Sequence, residues 1–250
     1  MAKSEKLIGP WQLIKRSAAL VKTNPRLLIL VGIILLPTSL LLSFTNSANS
    51  GISGFTTLAS LLMNLALIWA ISRIVSSNKF KVKDAYFKGT AKFVEFLMVA
   101  LALVLMLLPL VGGIAILAVG VVQPGTLVAE RMLLTVLAAL LITPTVIWIT
   151  RYALALYIVP DAKFGPMAAL RRSKELAKSR FWPVFGRLVV IAVATLIAGL
   201  IPLLAPVALH LTNRPALFGF QLVIGLLALP FYNAYLYQLY LELDGQKPSR

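Results

Sequence analysis

Six long apolar runs constrain the fold of this chain more than any other feature. They cover residues 27–44, 55–75, 96–122, 132–157, 184–211 and 216–241. A helix needs about 20 mostly apolar residues to cross a hydrocarbon core of roughly 30 Å, so each run is about long enough to span a bilayer. Only 13% of the residues are charged, against about 25% in a typical soluble domain. The sequence therefore predicts an all-α polytopic membrane protein, a single integral membrane domain with six transmembrane helices.

The positive charges lie almost entirely on one side of these six runs. Of the 24 Lys and Arg residues, all but Arg131 and Arg214 lie before the first run, between the second and third, around the fourth-to-fifth connection, or in the C-terminal tail. Lys and Arg accumulate in the cytoplasmic segments of membrane proteins. We therefore expect both termini to be cytoplasmic. The net charge of +16 is then explained by topology, and no nucleic-acid partner is predicted.

Three basic segments are predicted to form amphipathic interfacial helices, at about 8–23, 82–93 and 166–180. Segment 14–23 reappears at 170–179 as an apolar residue, two basic residues, Ser, two free positions, Leu, one free position, Lys and a hydroxyl residue. A fainter copy has Gly89 where the other two have Ser17 and Ser173. We expect these three small residues to permit close helix packing. The basic faces either anchor the bundle or bind anionic lipid or a membrane-protein partner.

Basic side chains in and around the third of these segments are the predicted lipid- or partner-binding residues. They are Arg151, Arg171, Arg172, Lys178, Arg180 and Arg187. Lys and Arg near an anionic leaflet contribute about 1 kcal/mol each to binding. Arg151 lies towards the end of the fourth run, where it marks the membrane boundary or is held by Glu95 or Asp161.

Helix-breaking prolines and isolated polar residues support an alternative hypothesis, in which the helices enclose a cavity. The candidate cavity residues are Asn64, Glu95, Pro109, Pro144 and Pro202. Proline frees a carbonyl one turn back, and broken helices line the binding sites of some transporters. Residues 109–113 are the segment most prone to break. The tyrosines at 232, 235, 237 and 240 are interpreted as an interfacial aromatic belt.

The residue types that most catalytic and metal sites need are scarce. There is no Cys, and the single His, His210, is expected at the outer interface. The HExxH, GxSxG and GxxxxGK[ST] patterns are not found in the sequence. The sequence therefore predicts no enzyme, no metal and no cofactor.

One block of the chain is similar to a known family. The matching residues are 151–155 (RYALA), Val159, Asp161, 165–166 (GP), 168–173 (AALRRS), Leu176 and 181–186 (FWPVFG), with Pro230, Tyr237, Leu239 and Tyr240 loosely similar near the end. This pattern resembles the six-span membrane domain of some bacterial glycerophosphodiester phosphodiesterases and related stand-alone membrane proteins of unknown function. The resemblance covers the membrane module alone, for which the family supplies no established activity, and it implies a bacterial inner membrane.

The expected function follows from these features taken together. We expect a non-enzymatic integral membrane protein whose basic cytoplasmic helices bind anionic lipid or a partner protein. The alternative is a transporter or lipid-translocating protein with a cavity at the proline-kinked helices.

Overall fold

The computed structural model describes residues 8–44, 50–76, 80–122, 128–160, 165–178, 180–208 and 214–245, and within these ranges the regular structure is all helical. The helices are α1 (Pro10–Thr23), α2 (Arg26–Phe44), α3 (Ser50–Val75), α4 (Val82–Gly89), α5 (Phe93–Val122), α6 (Val128–Tyr152), α7 (Ala155–Ile158), α8 (Pro166–Lys178), α9 (Phe181–Ala208) and α10 (Arg214–Asp244). A single 3₁₀ turn, Thr90–Lys92, joins α4 to α5.

Five helical stretches in the described part of the chain are long and apolar enough to cross a membrane. They are Gly54–Val75, Val82–Gly120, Val128–Ile158, Phe181–Ile201 and Leu222–Asp244. A sixth is counted if Pro10–Thr23 and Arg26–Leu40, which meet at 81°, form one broken span. The all-helical class and the multi-pass character predicted from the apolar runs are thus present in the structure.

The first basic segment and the first apolar run meet at a sharp bend. Asn24 lies at the bend, where its amide N–H donates to the Val21 carbonyl (3.2 Å) and its Nδ2 to the Leu20 carbonyl (2.9 Å). These bonds satisfy carbonyls that the end of α1 leaves without helical partners. Pro25 follows directly and cannot donate a backbone bond, so the helix ends here.

The fourth apolar run differs from its predicted course. Helix α6 begins at Val128 and ends at Tyr152, and a turn at 153–154 separates it from the short α7. Leu154, Ala155 and Ile158 are fully buried, so this turn is packed inside the protein. The span predicted over about 132–157 corresponds to the stretch Val128–Ile158, and the turn between α6 and α7 lies near the end of that stretch.

The prolines do not interrupt their helices. Pro37, Pro109, Pro144 and Pro230 lie inside α2, α5, α6 and α10, which continue on both sides of them. Pro202 lies within α9. Residues 109–113, the segment named as most prone to break, are helical, and α5 runs through them to Val122.

The chain divides into two compact units. The first comprises Met1–Phe93 and Phe185–Arg250, and its core is built from leucines and isoleucines of α2 and α3 with Tyr235 and Leu239 of α10. The second is Val94–Val184, where Ala169, Leu176 and Ala177 of α8 are buried. In this second unit α8 packs on α6 and α7.

Candidate functional site

Each basic helix buries the small residue at its matching position. Ser17 in α1, Gly89 in α4 and Ser173 in α8 are all buried. Helix α1 packs on α10, α4 on α3, and α8 on α6. Close packing of these positions was expected from the repeat, and interhelical contacts of Gly89 and Ser173 are described below.

Gly89 makes the tightest of the three contacts. A Cβ at this position would lie 3.1 Å from the Cβ of Trp69 and 3.3 Å from the Cα of Ala66, both in α3. Because the second atom belongs to the backbone, it cannot rotate away. A side chain at residue 89 would require α3 to shift by a few tenths of an ångström, so the close approach of α4 to α3 favours a glycine at this position.

The two serines use their hydroxyl groups differently. Ser17 Oγ donates to the Leu13 carbonyl (2.8 Å) within α1, whereas Ser173 Oγ donates to the Arg151 carbonyl (2.8 Å) and so joins α8 to α6. Arg151 is one residue from the end of α6, where helix carbonyls have no intrahelical partner. Ser173 satisfies one of these carbonyls and fixes the end of α6 to α8.

We therefore expect Ser173→Ala to lower the free energy of unfolding by about 1 kcal/mol, the net value of a typical buried hydrogen bond. Ser17→Ala is the matched control, since it removes the same hydroxyl from an equally buried serine whose bond lies within a single helix. Denaturant titration in detergent measures both. Equal losses in the two variants would contradict the interhelical role of Ser173.

The opposite sides of these helices expose large apolar residues beside cations. Trp11 in α1 is 64% exposed and Phe87 in α4 is 73% exposed. The Lys15 ammonium lies 5.8 Å from the Trp11 ring centroid, and that of Lys83 lies 5.7 Å from the ring of Phe87. In both cases the aromatic residue and the lysine are four positions apart, which places them on one helix face. Trp182, 75% exposed, lies just after α8 at the start of α9.

The predicted binding residues of the second unit differ in exposure. Arg171 and Lys178 are exposed on α8, whereas Arg151, Arg172 and Arg180 are intermediate. Arg172 lies 3.8 Å from the Glu175 carboxylate, an exposed i,i+3 pair. Exposed pairs of this kind contribute little to stability.

Arg187 was predicted to bind lipid or a partner, but its side chain is buried. Its residue is only 6% exposed, and its Nη2 donates to the Ile8 carbonyl. The Tyr235 hydroxyl donates to the Arg187 carbonyl (3.2 Å). Because its guanidinium is turned into the protein, we exclude Arg187 from the candidate lipid-binding surface.

The partners of Arg187 were not identified from the sequence. The Ile8 amide donates to Glu242 Oε1, so both backbone groups of Ile8 are bonded to charged side chains. Glu242 follows the apolar run 216–241 directly, and an acidic residue at such a boundary is itself a signal of a specific partner. Nothing local in the sequence connects it to residue 8.

The tyrosines near the C-terminus also differ from their interpretation. Tyr235, Tyr237 and Tyr240 are buried in the structure, and Tyr232 alone of these four is exposed, at 36%. A membrane-interface belt would point outward. The buried tyrosines instead belong to the core around α10.

The candidate cavity residues do not form one group within a compact unit. Asn64 and Pro202 belong to the first unit, whereas Glu95, Pro109 and Pro144 belong to the second, where all three are of intermediate exposure. Asn64 donates to the Ser60 carbonyl (2.9 Å) and accepts from Asn233 Nδ2 (3.2 Å). This bond joins α3 to α10, so helix packing alone accounts for Asn64.

Among the described residues no group of three or more His, Asp or Glu side chains is arranged to hold a metal ion. His210 lies outside the described residues. Comparison of the chain with protein-family models, curated proteins and solved structures found no match. The family resemblance of residues 151–186 therefore stays a prediction.

Proposed function

We propose that this chain is a non-enzymatic multi-pass protein of the bacterial inner membrane whose basic helices bind anionic lipid at the cytoplasmic leaflet. One observation carries the proposal: the basic helices pack on the protein through a small residue and present large apolar side chains beside cations on the other side. Trp11 with Lys15 in α1 and Phe87 with Lys83 in α4 are the two clearest cases.

This combination is what a helix in the headgroup region requires. An exposed Trp or Phe contributes apolar area that can enter the acyl boundary, and adjacent lysines or arginines contact phosphate groups. A docking surface for a soluble acidic partner would not need exposed aromatic residues next to each basic group. Anionic lipid is for this reason the favoured ligand, and a membrane-protein partner is the alternative.

The distribution of charge along the chain supports the cytoplasmic assignment. Arg131 and Arg214, the two basic residues that the sequence analysis assigns to the opposite side of the membrane, lie near the start of α6 and at the start of α10. Helix α4 precedes α5 and lies with it in the stretch Val82–Gly120, α8 precedes the stretch Phe181–Ile201, and α1 is counted towards a span only together with α2. If the chain has the six spans that the sequence predicts, the positive-inside rule assigns its three basic segments to the cytoplasmic side.

The test measures lipid preference directly at Trp182, which follows α8. Trp emission is recorded in proteoliposomes with brominated phosphatidylglycerol or brominated phosphatidylcholine. The difference in quenching between the unmodified chain and Trp182→Phe is the contribution of Trp182. We expect stronger quenching by the anionic lipid. Replacing Arg171 and Arg172 together by Gln is expected to reduce that preference, by about thirtyfold at most if each charge contributes about 1 kcal/mol.

The matched control removes two positive charges that lie outside α8. Arg131→Gln with Arg214→Gln leaves α8 intact and is expected to keep the preference of the unmodified chain at Trp182. A preference unchanged by the loss of Arg171 and Arg172 would exclude α8 as a lipid-binding helix. An equal loss in the control pair would show an effect of net charge alone.

A transporter is less well supported. Asn64 is bonded to Asn233 across two helices, and the helices containing Pro109 and Pro144 are continuous. Helix packing thus accounts for Asn64 without a substrate, and the helices at Pro109 and Pro144 lack the break that the cavity hypothesis invoked.

A further inference from the structure

Ile8, which precedes α1, is held by its backbone rather than by its side chain. Its amide donates to Glu242 Oε1 of α10, and its carbonyl accepts from Arg187 Nη2 of α9. A carboxylate therefore binds the N–H of Ile8 and a guanidinium binds its C=O. Hydrogen bonds with one charged partner are stronger than bonds between neutral groups.

Arg187 lies in a packed part of the first unit. Arg187 is 6% exposed, and its own carbonyl accepts a bond from Tyr235, which is fully buried in α10. Helices α9 and α10 are thereby joined at the level of Arg187. Ile8 is the point at which the chain before α1 is attached to this pair of helices.

Helix α1 is consequently held at both of its ends. At its C-terminal end the bonds of Asn24 fix the 81° bend into α2. At its N-terminal end the Gly9 carbonyl accepts from the Leu13 amide (3.1 Å), which begins the helix directly after Ile8. Along its length α1 packs on α10 through Leu13 and Ser17, which are buried. Release at Ile8 would free the N-terminal end that carries Trp11 and Lys15.

We propose that Arg187 and Glu242 form a latch that binds the backbone of Ile8, and that anionic lipid bound to α1 favours the closed latch. The second half rests on the proposed function. It follows from linkage, because a ligand that binds better to one of two conformations shifts the population towards it. A helix fixed along α10 presents Trp11 and Lys15 to the leaflet in one orientation, whereas a detached helix end does not.

Because the latch contacts the backbone, substitutions at residue 8 can distinguish the loss of a backbone hydrogen bond from the loss of side-chain packing. Ile8→Pro removes the N–H that donates to the Glu242 carboxylate, whereas Ile8→Ala keeps this donor. Glu242→Gln removes the negative charge while keeping the size of the side chain. Its control is Asp244→Asn, which removes a carboxylate two residues further along the same helix and therefore on nearly the opposite side.

The experiment is hydrogen exchange of the full chain in nanodiscs, read at residues 11–17 of α1. In phosphatidylcholine nanodiscs we expect Ile8→Pro and Glu242→Gln to exchange on the order of tenfold faster than the unmodified chain, since each loses one charge-assisted bond. Ile8→Ala and Asp244→Asn are expected to exchange at the unmodified rate. In equal parts of phosphatidylglycerol and phosphatidylcholine, exchange should slow in the unmodified chain and not in Glu242→Gln.

Each result decides one part of the proposal. Unchanged exchange in Ile8→Pro, or equal acceleration in Ile8→Ala, would overturn the latch. Fast exchange in Ile8→Pro with no effect of phosphatidylglycerol on the unmodified chain would overturn the coupling to lipid. The quenching experiment at Trp182 reports on the proposed function through α8 alone, so its failure is distinguishable from failure of the latch.

Discussion

Gly113→Leu is expected to destabilise the chain more than any other glycine substitution in the described residues, because α5 and α6 touch at this position. A Cβ on residue 113 would lie 2.7 Å from Ile142 Cγ1 and 3.1 Å from the Ala138 carbonyl oxygen. The first atom belongs to a branched side chain and the second to the backbone, so the helices must separate to admit it. Overpacking of this kind costs about 1–3 kcal/mol, and more when backbones must move.

The neighbouring glycine provides the control. A Cβ on Gly112 would meet only Leu141 Cδ1, at 4.0 Å, which is an ordinary contact. Gly112→Leu adds the same side chain to the same helix one residue earlier, and we expect its unfolding midpoint in detergent to stay near that of the unmodified chain. Similar midpoints for the two variants would contradict the close approach of α5 and α6 at Gly113.

The helices themselves could be predicted from the sequence for a simple physical reason. In a membrane every backbone group must be bonded within the chain, so a long apolar run has few alternatives to a helix. The runs at 55–75 and 96–122 end within the structure at the residues expected, Val75 and Val122. Their starts differ more, since α3 begins at Ser50 and α5 at Phe93, where polar residues still have helical backbones.

The effect of the prolines was harder to predict, because a proline removes one helical bond without deciding whether the helix bends. Pro109 and Pro144 lie in helices that continue past them. In α6, Thr143 and Thr145 flank Pro144 and donate to the Ala139 and Leu141 carbonyls, at 2.7 and 3.2 Å. These two acceptors are not the Leu140 carbonyl, which is the one that Pro144 leaves without its helical donor.

Only part of the candidate site could be read from local pattern. The repeat identified Ser17, Gly89 and Ser173 as small residues on the packed faces, because their spacing from apolar neighbours is local information. Their partners could not be identified in this way. The Arg151 carbonyl is 22 residues from Ser173, and Ile8 is 179 residues from Arg187. Arg187 therefore had the same local signature as the exposed Arg171 although it is buried.

This buried position makes Arg187→Met the second substitution with a large expected effect. Methionine keeps much of the apolar stem but leaves the Ile8 carbonyl without its guanidinium donor. It also removes a positive charge from a site that contains Glu242. We expect the free energy of unfolding, measured by denaturant titration in mixed micelles, to fall by about 1.5–3 kcal/mol, the value of a hydrogen bond to a charged group. Arg171→Met, at an exposed position, is expected to change it by no more than about 0.5 kcal/mol.

Combining Arg187→Met with Glu242→Gln tests whether the two residues hold Ile8 as a unit. Both bind the same residue, so loss of either bond frees the segment and deprives the other side chain of its partner. The free energy of unfolding of the double variant is therefore expected to be only slightly below that of the less stable single variant. Independent sites add to within about 0.3–0.5 kcal/mol. Additive losses in the free energy of unfolding would mean that Arg187 and Glu242 stabilise the protein independently. Ile8 would then not link the two residues.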